Sequence, residues 1–145
     1  MSTAATTVCE VFTPDGKFVG KCGSAGNGDG QFNQPWGITL DKDGNIYVAD
    51  WKNHRVQKPS LEGKFLMKFG QYGKADEPEG SYAVTMFGPY VAAQSETAGY
   101  PKPGTLNHPT DVAVDPDGDI YVTDCGNHRV CVFDSRGKAD LQSDR

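Results

Sequence analysis

The chain contains one 24-residue segment twice. Pro35 to Lys58 reads PWGITLDKDGNIYVADWKNHRVQK, and Pro109 to Val132 reads PTDVAVDPDGDIYVTDCGNHRVCV. Aligned without gaps at an offset of 74, the copies agree at 12 of 24 positions. The shared residues are a Pro, two Asp, a Gly, the triplet Ile-Tyr-Val, a further Asp and the run Asn-His-Arg-Val. Such a match is a duplication. A duplicated unit of this size is one supersecondary structure that buries its apolar face against its neighbour. A partial third copy precedes them. Phe12-Thr-Pro-Asp-Gly-Lys17 aligns with Phe133-Asp-Ser-Arg-Gly-Lys138, and Gly16-Lys17-Phe18 aligns with Gly63-Lys64-Phe65 at an offset of 47. Gly23 and Gly70 then close corresponding segments.

Within each unit the apolar residues alternate, which is the period of a half-buried strand. Strand a is expected at Gly37–Leu40 and Asp111–Val114. Strand b is expected at Ile46–Ala49 and Ile120–Thr123, after Asp43-Gly44 and Asp117-Gly118. Asp-Gly between such runs marks a hairpin, because Gly accepts a positive φ. Strand c falls at Arg55–Lys58 and Arg129–Phe133, and strand d at Lys64–Phe69. Pro59 stands where the other copy has Phe133. It cannot donate to a ladder, so strand c is expected to stop before it. With 18 Gly and 9 Pro in 145 residues, a helical bundle is excluded. No apolar run reaches the roughly 18 residues of a membrane-spanning helix. The fold class is all-β, with four short antiparallel strands per unit.

These units resemble the NHL repeat, a family of β-propeller blades. The resemblance rests on Asp-Gly-Gln-Phe-Asn-Gln-Pro at 29–35, Asp-Gly-Asn-Ile-Tyr-Val-Ala-Asp at 43–50, Asn-His-Arg-Val at 53–56 and their second copies. It implies blades of a ring that usually has six. The chain then reads as one partial propeller over 1–145: a partial blade at 8–34, a full blade at 35–73, an insertion at 74–103, a partial blade at 104–138 and a tail at 139–145. The insertion suggests a hairpin over Tyr82–Met86 and Tyr90–Ala93. About nine strands make an incomplete ring, so self-association is expected.

Candidate chemistry divides by whether it repeats. Asp50 with Arg55, and Asp124 with Arg129, occur in both copies, as do His54 and His128. A catalytic centre does not recur once per blade, so these are read as a structural motif locking the b–c turn. No catalytic residue is assigned. No His, Cys, Asp or Glu cluster has metal-ligand spacing, and no metal site is assigned. The acids around Asp41 and Asp115 place Gly fourth and lack the twelfth-position Glu of a calcium loop. They are read as turn residues, with weak calcium binding the remaining cofactor reading. Cys9, Cys22, Cys125 and Cys131 form no C-x-x-C pair and are read as reduced and inert. Cys131, between Val130 and Val132, is expected to face solvent.

Trp36 and Trp51 do not repeat: the second copy has Thr110 and Cys125 there. In a propeller, Trp36 at the start of strand a and Trp51 in the b–c loop share one face. That face, with Lys52, Asn53, Cys125 and Asn127, is the candidate partner- or ligand-binding surface. The net charge of −5 disfavours a general nucleic-acid binder, so protein partners rank above RNA. No membrane association is expected. The first residues carry neither a basic segment nor an apolar one, which favours the cytoplasm over secretion. The preferred reading is a non-enzymatic interaction scaffold. The alternative is part of a six-bladed propeller enzyme, a lyase or metal-dependent hydrolase.

Overall fold

A computed structural model describes residues 8–74 and 102–139. The hairpin expected at Tyr82–Met86 and Tyr90–Ala93 lies outside the described residues, as does the tail beyond Ala139. Three antiparallel sheets follow one another. The first pairs β1 (Cys9–Phe12) with β2 (Phe18–Cys22). The second has the order β5 (Pro35–Leu40), β6 (Ile46–Asp50), β7 (Arg55–Pro59) and β8 (Phe65–Phe69). The third joins β9 (Pro109–Val114), β10 (Ile120–Asp124) and β11 (Arg129–Phe133). A short parallel pair, β3 (Ser24–Ala25) with β4 (Gln31–Phe32), ties the linker between the first two sheets. The architecture is all-β, and the sheets are blades of a partial propeller.

One turn recurs in five hairpins, beginning at Thr13, Asp41, Ser60, Asp115 and Asp134. The N–H of the first residue donates to the carbonyl of the fifth, and the N–H of the fourth, a Gly, donates back to the carbonyl of the first. The fifth N–H also donates to the side-chain oxygen of the first residue, at 2.9–3.1 Å. Only a short Asp, Ser or Thr side chain reaches back this way. The fourth residue sits at φ between +78° and +92°, where Gly avoids a Cβ clash. Asp41 and Asp115 therefore serve their own turns.

Pro59 corrects the expectation of an early stop. β7 runs through it, and Pro59 pairs with Phe65 across a register shift between Lys58 and Pro59. The bulge absorbs the missing N–H, which is how a sheet tolerates proline. The side chain is buried.

Burial shows how the blades stack. Every residue of β6 is buried, because its sheet has a neighbour on each side. Ile46 and Val48 pack with Phe32, Cys9 and Val11 toward the first sheet. Tyr47 and Ala49 pack with Val56, Phe69, Leu106, Val112, Ile120, Val122 and Phe133 toward the third. β10 instead alternates buried and exposed residues, since only one side of it is covered among the described residues. Gly37 shows how closely strands a approach. A Cβ there would lie 2.6 Å from Asp111 Cα and 2.7 Å from the Thr110 carbonyl oxygen. The second copy can carry Asp111 at the matching position, but the first cannot.

Candidate interaction face

The b–c loop is built around a buried carboxylate. Asp50 is inaccessible to solvent. Its Oδ1 accepts the Asn33 N–H at 2.7 Å, and its Oδ2 accepts from Asn53 Nδ2 at 2.8 Å and Arg55 Nε at 2.9 Å. The Arg55 guanidinium extends into the linker. It donates to the carbonyls of Asn27, Gly28 and Gln31 at 3.1, 2.8 and 2.7 Å. The Gly-rich linker is thus folded around an arginine. Both charges are compensated, as burial requires.

The second copy repeats the device. Asp124 accepts from Asn107 N–H at 2.6 Å, Asn127 Nδ2 at 2.9 Å and Arg129 Nε at 2.8 Å, while Arg129 Nη2 donates to the Thr105 carbonyl at 2.7 Å. Asn53 and Asn127, grouped from the sequence with the binding face, point inward. Asn53 Nδ2 also reaches the Gly26 carbonyl, and Asn127 Nδ2 reaches that of Gly73. Cys131 does not face solvent as expected. Its Sγ lies 3.8 Å from Asp124 Oδ2, burial pushes its thiol up to about 12, and Val130 is the exposed neighbour. A thiol so poorly ionised is a weak nucleophile.

Trp36 and Trp51 meet on the face that carries the b–c loop. Their rings stack at 5.2 Å with an interplanar angle of 17°, and Trp36 is 61% exposed. Lys52 is exposed, with Nζ 6.0 Å from the Trp51 ring. Cys125, at the position matching Trp51, is exposed in the next blade. The aromatic surface continues through residues the sequence reading did not group with it. His108 lies 4.7 Å from Trp51 and 4.4 Å from His54, and Tyr72 lies 4.7 Å from His54. His108 aligns with Gln34, so the non-repetition that singled out the two tryptophans also marks it.

His54 does more than turn the chain. It occupies the left-handed region at φ +53°, and its Nδ1 accepts the His108 N–H at 3.0 Å, joining two blades. Partial burial, then the neighbouring His108, holds its pKa below the ordinary histidine value, against the pull of Asp124 and Asp50. The unfolded chain therefore binds the proton more tightly than the folded one, and stability rises with pH across this interval. We expect stability to fall as pH drops through the ordinary histidine range, and to level once folded His54 is also protonated. Urea midpoints at several pH values check this. His54→Asn, which tolerates positive φ, should flatten that part of the profile.

The NHL repeat family model matches residues 32–58 and 106–133, the two copies of the unit. The chain belongs to the NHL-repeat family. It is 33% identical over 141 residues to protein brain tumor of Drosophila melanogaster, covering 81% of this chain and 13% of that protein. It is 33% identical over 134 residues to B-box type zinc finger protein ncl-1 of Caenorhabditis elegans, covering 81% of this chain and 16% of that protein. A probable peptidyl-alpha-hydroxyglycine alpha-amidating lyase of C. elegans, pgal-1, is 29% identical over 118 residues, covering 79% of this chain and 27% of the lyase. The chain therefore spans a small part of each relative's length.

Proposed function

We propose that this NHL module is a non-enzymatic scaffold that binds a protein partner through the face centred on Trp36 and Trp51. The observation that carries this reading is the stacked, solvent-facing tryptophan pair. Neither tryptophan recurs in the second copy, which has Thr110 and Cys125 at those positions. Exposed tryptophan is costly to leave in water and is enriched where interfaces concentrate their energy. His108, His54 and Tyr72 extend the surface, and Lys52 supplies a charge at its edge. Lyase pgal-1 gives the enzyme reading its support. The scaffold reading is preferred because the non-repeated residues that meet on this face, Trp36, Trp51 and His108, form an aromatic surface. Among the described residues, no three His, Cys, Asp or Glu side chains gather as a metal site would require.

The test compares proteins retained by the immobilised chain with those retained by Trp36→Ala, followed by calorimetry on a purified partner. A hot-spot tryptophan contributes about 2 kcal/mol or more, so Kd should rise by about 30-fold. A partner whose affinity is unchanged by both Trp36→Ala and Trp51→Ala overturns the assignment of this face. Turnover of a peptidyl-hydroxyglycine substrate would establish the enzyme reading instead.

A further inference from the structure

The first sheet differs from the full blade at the cross-strand pair that faces the core between blades. In the full blade, Val56 on strand c faces Phe69 on strand d, and both belong to the core between blades. The same pair, 47 residues earlier, is Cys9 facing Cys22. Both members of that pair are cysteine in the first sheet. Neither position is a turn, and the polar contacts of the Cys22 thiol are to Cys9 itself. A small hydrophobe at either site would pack as a cysteine does. What two cysteines add is the bond between them.

We propose that Cys9 and Cys22 are a redox-active pair that closes to a cross-strand disulfide in the folded chain and reopens on reduction. Directly opposed residues of an antiparallel ladder hold their Cβ atoms about 4.5–5.5 Å apart. A disulfide needs Cβ atoms about 3.5–4.5 Å apart, so a small adjustment at the end of the ladder suffices. The two cysteines also differ in reach. Cys22 is buried, 2% exposed, whereas Cys9 is half-buried and lines a surface cleft of about 150 Å³ with Val8, Phe32, Pro35, Trp36 and Ile38. Burial, then the adjacent Cys9, pushes the Cys22 thiol up to about 12. Attack therefore begins at Cys9.

With a small-molecule disulfide such as oxidised glutathione as the oxidant, the Cys9 thiolate attacks one sulfur. The glutathione S–S bond breaks and one glutathione thiolate leaves. Cys22 then gives its proton to solvent and attacks Cys9 Sγ, which breaks the mixed disulfide and expels the second glutathione. Two protein thiols are oxidised and one glutathione disulfide is reduced to two thiols. The raised Cys22 thiol makes the second step slow, so the Cys9–glutathione adduct should accumulate first. Cys125 and Cys131 have no facing cysteine among the described residues.

The experiment uses the unmodified chain. Native protein is held in an excess of oxidised over reduced glutathione, then alkylated, cut with trypsin and mapped by mass spectrometry. Lys17 and Lys21 lie between the two cysteines, so a cross-link joins two otherwise separate peptides. The expected result is a Cys9–Cys22 linked peptide that forms after a transient Cys9 adduct and disappears with dithiothreitol. The melting temperature should stay level or rise by a few degrees on oxidation. Cys9 remaining as its glutathione adduct, Cys22 remaining alkylatable, pairing of either with Cys125 or Cys131, or a lowered melting temperature would each overturn the proposal.

Discussion

Asp50→Ala should strip about 3–5 kcal/mol from the stability of the fold. The carboxylate has no exposed surface and accepts from a backbone N–H, an amide side chain and the Arg55 guanidinium. Alanine would strand Arg55, itself only 6% exposed, as a buried cation without its counter-ion. Breaking a buried pair from one side costs about 3–5 kcal/mol, against a total stability of about 5–15 kcal/mol for a domain. The damage would spread, because Arg55 holds the Asn27, Gly28 and Gln31 carbonyls and so folds the linker between blades. Asp50→Asn keeps an acceptor near Arg55 and should cost less than Asp50→Ala. Urea denaturation followed by circular dichroism measures both. Unchanged unfolding together with lost partner binding would reverse the reading and make Asp50 a functional residue.

The repeat makes most of this architecture legible in the sequence. Strands a to d fall where the alternation and the Asp-Gly turns place them, because each is a local rule: a period of two, and a Gly at positive φ. Non-local facts were not legible. Pro59 reads as a stop in isolation, but a bulge opposite Phe65 accommodates it. Cys131 alternates as if exposed, but it packs against the core between blades, with its thiol beside Asp124 of the adjacent strand. Asn53 and Asn127 look available for binding until the buried Asp of each blade claims their amides. The candidate face was half legible. Trp36, Trp51 and His108 all fail to repeat, but that His108 and Tyr72 lie on the tryptophans' surface follows only from the stacking of one blade on the next.

Phe133→Ala should cost about 3–5 kcal/mol, while Phe12→Ala, at the matching position of the first sheet, should cost under about 1 kcal/mol. The sequence gives no reason for such a difference, since both phenylalanines precede the same turn. The packing does. Phe133 is 1% exposed, tilted against the Phe69 ring at 4.7 Å, and closes the core between the second and third sheets. Phe12 is 53% exposed and lies edge-on to Phe18 at 5.9 Å, near the register shift that ends its ladder. Truncating Phe133 removes a full side chain from a close-packed interior and leaves a cavity that the flanking sheets cannot close without moving as units. Truncating Phe12 mainly removes surface already in contact with water. Denaturation midpoints of the two variants decide the matter. Equal losses would show that the first sheet is covered at Phe12 in solution, by chain outside the described residues or by a second molecule.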